Sequence, residues 1–89
     1  MVKKREKLEI IRDVLLAIKE KGEIKPTRLL YSSNLSPQMF KEYIDLLLYK
    51  EFIKKSLIKE KKSFSLTNKG KHFLGEYRVI ENIIKNFGL

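Results

Sequence analysis

Apolar residues recur at three- and four-residue steps along most of this chain. Between Arg5 and Lys21, Leu8, Ile11, Leu15 and Ile18 form one stripe with Ile10 and Val14 beside it, the pattern of an amphipathic helix. Gly22 follows in the position that ends such a helix. Glu23-Ile24-Lys25 has room for one small edge strand, because Lys25 precedes Pro26 and is biased to extended backbone. A second helix is expected from Pro26 to about Ser33, burying Leu29 and Leu30. A short joint, Ser33-Asn34-Leu35, comes next, and Asn34 tolerates the left-handed backbone that a tight turn needs. Ser36 then caps a third helix whose first residue is Pro37 and which runs to about Lys50. Its buried face is predicted to be Met39, Phe40, Tyr43, Ile44 and Leu47, and its opposite face Gln38, Lys41, Glu42, Asp45 and Tyr49.

The period then changes. Residues 51–58 are rich in β-formers, Lys59-Glu60-Lys61-Lys62 interrupts, and Ser63 to Thr67 alternates polar with apolar, so a β-hairpin with a four-residue lysine-rich tip is expected. Thr67 caps a last helix, from Asn68 to about Asn86. There Phe73, Tyr77, Ile80, Ile84 and Phe87 are spaced four, three, four and three apart, an a/d seam that Leu74, Val79 and Ile83 widen. One side of that seam has helix 1 to pack on. The other is covered either by a second chain or by folding back on the same domain. Three helices followed by one hairpin define an α+β, mostly helical fold: a winged helix-turn-helix over residues 1–67, with residues 68–89 as a C-terminal dimerisation helix.

Charge narrows the choice of partner. Twenty Lys and Arg against eleven Asp and Glu give +9 in 89 residues, which calls for an anionic partner: DNA, RNA or a membrane surface. No apolar run approaches the roughly 18 residues that span a bilayer, so no membrane span is expected. Met1 leads into lysines with no apolar segment directly after, and the chain reads as intracellular and nucleoid-associated. With no cysteine there is no disulfide and no thiolate zinc site, leaving oligomerisation as the staple for a small core. Abundant Lys, Glu and Ile with a single Gln resemble a thermophile's usage.

The cations fall in two places. The first turns of the third helix carry Ser36, Gln38 and Lys41: Gln pairs with adenine, and Lys reaches guanine or phosphate. Glu42 and Asp45 share that face and repel phosphates, so weak sequence readout with dominant phosphate contact is expected. Thr27, Arg28 and Tyr31 on the second helix are candidates for backbone contact, with Tyr31 alternatively half in the core. From Lys54 to Lys71 there are seven lysines (54, 55, 59, 61, 62, 69 and 71) and one acid, Glu60, hence +6 over eighteen residues. Lys54, Lys55, Lys59, Lys61 and Lys62 would form the wing's share of a DNA grip, on the same side of the body as the third helix. The other use of such lysines is to protect a strand edge. Lys3, Lys4, Arg5 and Lys7 read as a basic arm. His72, without any cysteine, makes no zinc site. With no P-loop, GxGxxG or nucleophile elbow, neither an enzyme nor a cofactor is expected.

Several of these runs carry a family resemblance. Lys7-Leu-Glu-Ile-Ile11, Thr27-Arg-Leu-Leu-Tyr-Ser-Ser-Asn-Leu-Ser36, Tyr43-Ile44 with Leu47, Leu66-Thr67 and Lys69-Gly70 resemble the small archaeal winged-helix chromatin proteins of the "ten-a" class. That resemblance implies a basic DNA-binding protein dimerising through a C-terminal antiparallel coiled coil, here through Phe73, Tyr77, Ile80, Ile83, Ile84 and Phe87. Three functions follow as expectations: a sequence-tolerant, dimeric chromatin or architectural protein; a site-specific transcription regulator; or a protein-interaction module of a larger complex.

Overall fold

The computed structural model describes residues 6–89. Helix α1 spans Lys7–Lys21 and strand β1 Glu23–Ile24; α2 is Pro26–Ser33 and α3 Pro37–Tyr49; the hairpin strands β2 and β3 are Ile53–Ile58 and Lys61–Leu66, and α4 is Asn68–Asn86. The winged helix-turn-helix fold is as the pattern of residues predicts.

The local signals behave as their chemistry dictates. Gly22 ends α1 with φ +76° and Asn34 turns the chain after α2 with φ +57°. The Ser36 hydroxyl accepts from the Met39 amide at 3.2 Å and the Thr67 hydroxyl from the Gly70 amide at 3.1 Å, each satisfying a donor that the helix leaves orphaned.

The three strands form one antiparallel sheet in the order β1-β3-β2. Strands β2 and β3 pair from Ile53 opposite Leu66 to Ile58 opposite Lys61, while β1 pairs only Glu23 with Ser65 and Ile24 with Phe64. Opposed residues share a face. Ile24, Ile53, Phe64 and Leu66 thus line the inner face and join Val14, Leu15, Ile18, Leu29, Ile44, Leu47 and Leu74 in the core. The expected half-buried alternation of β3 fails: Ser63, Phe64, Ser65 and Leu66 are all buried. A central strand is flanked on both sides, and its small serines sink between longer neighbours.

Some stripe residues are not core. Leu8 and Met39 sit in the first turns of α1 and α3, beyond the packed body, and are exposed; Leu30 is only half-buried. Tyr31, offered as half core, is exposed on α2.

Candidate nucleic-acid interface

The capped start of α3 stands just after the α2 turn. Ser33, buried at that turn, donates through its hydroxyl to the Leu30 carbonyl at 2.8 Å and accepts from the Leu35 amide at 3.3 Å, fixing the joint between the two helices. Burying Ile44 and Leu47 turns the other side of α3 outward, so Gln38, Lys41, Glu42, Asp45 and Tyr49 are exposed as the periodicity predicts. Tyr49 is 81% exposed, with the Lys50 ammonium 5.7 Å from its ring centroid. Ser36, Thr27 and Arg28 are exposed as well. The outward face of α3 therefore carries one cation, Lys41, against two carboxylates.

The wing differs from expectation at its tip. Lys61 and Lys62 belong to β3, leaving a turn of Lys59 and Glu60 alone. Both have positive φ, 50° and 65°, the backbone of a two-residue hairpin turn that matches strand twist. Neither residue type favours that region, so nothing in their identity announces the short turn. The register also divides the lysines. Lys55 and Lys62 lie on the face of Phe64 and Leu66, whereas Lys54 and Lys61 share the outer face with Ser63 and Ser65. All five wing lysines, 54, 55, 59, 61 and 62, are exposed, and Leu57 among them is 67% exposed. Of the proposed basic arm, Lys3, Lys4 and Arg5 lie outside the described residues, and Lys7 opens α1.

A polar clasp joins wing, α3 and α4. Glu51 leaves α3 with φ +63°. Its carbonyl accepts from the Thr67 hydroxyl at 2.6 Å, and the Lys50 carbonyl accepts from the Lys69 ammonium at 2.7 Å. Lys69 thus places positive charge at the electronegative end of α3.

The seam on α4 splits in two. Phe73 packs tilted against Phe52 (centroids 5.2 Å) and stacks on Tyr77 (5.8 Å), and Leu74 is buried. Arg12 of α1 lies over the Tyr77 ring at 5.7 Å and pairs with both Asp13 and Glu81. The hydrogen bond to Asp13 is the main reason the guanidinium is held above its ordinary pKa, while burial pushes the Tyr77 phenol up. Ile80, Ile83, Ile84 and Phe87 remain exposed, from 42% at Ile84 to 75% at Phe87. Phe73 and Tyr77 are therefore committed to their own domain, and the bare half of the seam begins after them.

His72 is exposed beside Glu76, and no group of three metal-binding side chains occurs among the described residues. Among those residues, no helix is long and apolar enough to cross a membrane.

Three helices, a capped helix-turn-helix and a lysine-bearing hairpin define a winged helix-turn-helix. A match to that family's sequence model covers residues 4–85, and the chain belongs to the winged helix-turn-helix family. It is 44% identical over 68 residues to the uncharacterized protein MJ0287 of the archaeon Methanocaldococcus jannaschii, covering 76% of this chain and 65% of that one. A second protein of that organism, MJ0290, is 37% identical over 81 residues, 91% of this chain but 36% of its own length. The chain thus spans less than two thirds of either relative. Among solved structures, Sso10a-2, a DNA-binding protein from Sulfolobus solfataricus, superposes with a TM-score of 0.78 at 22% identity over 93% of this chain and 85% of that one. A MarR family transcriptional regulator from Silicibacter pomeroyi gives 0.73 at 24% identity over 92% and 55%. At these identities the two structures share the fold.

Proposed function

We propose that this chain binds duplex DNA as a homodimer, chiefly through backbone phosphates, in an architectural or transcription-regulating role in the nucleoid. The observation that carries this reading is the wing: an exposed hairpin bearing Lys54, Lys55, Lys59, Lys61 and Lys62 on a helix-turn-helix body. Cations so placed neutralise phosphates whatever the base sequence. The outward face of α3 argues for the same tolerance, because Glu42 and Asp45 offset what Lys41 attracts. Ser36, Gln38, Thr27 and Arg28 would set the helix against the groove and the backbone. Further support is the likeness to Sso10a-2, a DNA-binding protein.

In this reading residues 1–67 grip DNA and the bare half of α4, Ile80 to Phe87, pairs with a second copy around a two-fold axis. Four large apolar side chains on one terminal helix are more than a soluble surface ordinarily leaves uncovered.

A salt titration of duplex binding, run with several unrelated duplexes, tests the proposal. The logarithm of the affinity should fall linearly with log salt, by about 0.9 for each phosphate neutralised, and similarly for every duplex. Binding that hardly responds to salt removes the mechanism. The exposed Gln38 at the start of α3 favours a second reading, a site-specific regulator: one duplex then stands out, and Gln38→Ala removes its advantage.

A further inference from the structure

The outer face of the sheet holds a feature away from the wing tip and α3 that shares only Lys54 with the wing lysines. Ser65 lies near the end of β3, the central strand of the sheet, and is only 8% exposed, and its hydroxyl has no hydrogen-bond partner among the described residues. A buried hydroxyl left unpaired is costly, and native proteins rarely retain one without a reason. Its register partners, Glu23 on β1 and Lys54 on β2, flank it on the same face. Together with Ser56 they line an open cleft of ≈ 610 Å³, whose walls also include Lys19 from the end of α1 and Lys71 from the first turn of α4. Lys19, Lys54 and Lys71 form no ion pair with the described residues. Three lysines and one carboxylate, Glu23, therefore line the cleft that also holds the unpaired Ser65 hydroxyl.

We propose that this cleft is a binding site for a phosphate group. Lys19, Lys54 and Lys71 supply the charge, and the Ser65 hydroxyl donates the orienting hydrogen bond once the flexible Glu23 and Lys54 tips move apart. A hydroxyl donating to an anion makes a charge-assisted bond, stronger than one to a neutral acceptor. A phosphate offers enough oxygens to engage the hydroxyl and several ammonium groups at once. Ser65 is on the opposite face of the sheet from Phe64, and no residue of α3 lines the cleft. The phosphate belongs either to the backbone of a duplex or to a free phosphoryl compound.

Amide chemical shifts of the full chain, followed by NMR during titration with sodium pyrophosphate at physiological ionic strength, test this. The expected result is saturable movement at Gly22, Lys54 and Ser65. Ser65→Ala and Lys54→Gln should each weaken pyrophosphate binding about tenfold, the loss of one charge-assisted contact. Ser65→Ala should leave the melting temperature unchanged or raised, since no group loses a partner. Should it fail to fold, the exposed Lys54→Gln decides the matter alone. Shifts that never saturate, that leave Ser65 and Lys54 unmoved, or that persist at wild-type affinity in Lys54→Gln overturn the proposal. A short duplex that moves the same amides identifies backbone phosphate as the source, and movement by pyrophosphate alone identifies a free phosphoryl compound. The pyrophosphate result stands whether or not duplex binding follows the salt dependence proposed above.

Discussion

Gly70 lies against the backbone of Phe52 so closely that a β-carbon there would sit 2.1 Å from the Phe52 carbonyl oxygen. That oxygen already accepts from the Thr67 amide at 3.1 Å, so it is not free to retreat. Gly70→Ala should therefore destabilise the fold by about 1–3 kcal/mol, as overpacking does. Urea denaturation of the variant reads the loss directly. A midpoint equal to wild type would show that the start of α4 yields more easily than its contacts imply.

Glu60 sits in the wing turn with φ +65°. Glycine adopts that region without steric penalty, whereas other residues lose about 1–2 kcal/mol there, part of which glycine gives back in chain entropy. Glu60→Gly should raise stability by about 1 kcal/mol, or roughly 5 °C in melting temperature for a domain of this size. It also removes the one acid among the wing lysines, so duplex affinity should hold or increase. A lower melting temperature would mean that the side chain of Glu60 contributes more than its backbone costs.

Much of this architecture could be read from short stretches of chain. Ser36 with Pro37, Gly22, Asn34 and Thr67 each act within a few residues, and each does in the fold what its type implies. Other features depend on partners distant in sequence. Ser63 and Ser65 are buried because β1 and β2 close on both sides of β3, which no local alternation reveals. The positive φ of Glu51, Lys59 and Glu60 opposes residue preference and is imposed by the clasp to Thr67 and by strand twist. The candidate site divides in the same way: the excess of lysine is visible in the sequence, but which face each lysine takes depends on a register that only pairing defines.

Lys61→Ala combined with Lys62→Ala should weaken binding to every duplex by a similar factor. If both contact phosphate, the slope of log affinity against log salt should become shallower by about 2, near 0.9 for each. Because the two lysines occupy opposite faces of the wing, the single variants should contribute unequally. Fluorescence anisotropy across a salt series measures both quantities, and unaltered affinity in the double variant would remove the wing from the interface.

Ile80→Asp with Ile84→Asp should leave the monomer folded, since both side chains are exposed, and abolish self-association. Two unpaired carboxylates in an apolar seam cost several kcal/mol, a weakening of roughly a hundredfold or more. Sedimentation velocity distinguishes the states. A wild-type chain that sediments as a monomer at micromolar concentration would end the case for pairing through α4.

The bonds from Thr67 and Lys69 to the carbonyls of Glu51 and Lys50 have a mechanical consequence. They make the last helix a lever hinged on the end of α3 rather than a tail attached by a loop. A torque applied to the far end of that lever, by a second chain paired on it, arrives at α3 as a change of angle. If α3 enters a groove as proposed, pairing through α4 and the set of α3 against DNA would be coupled through that single joint.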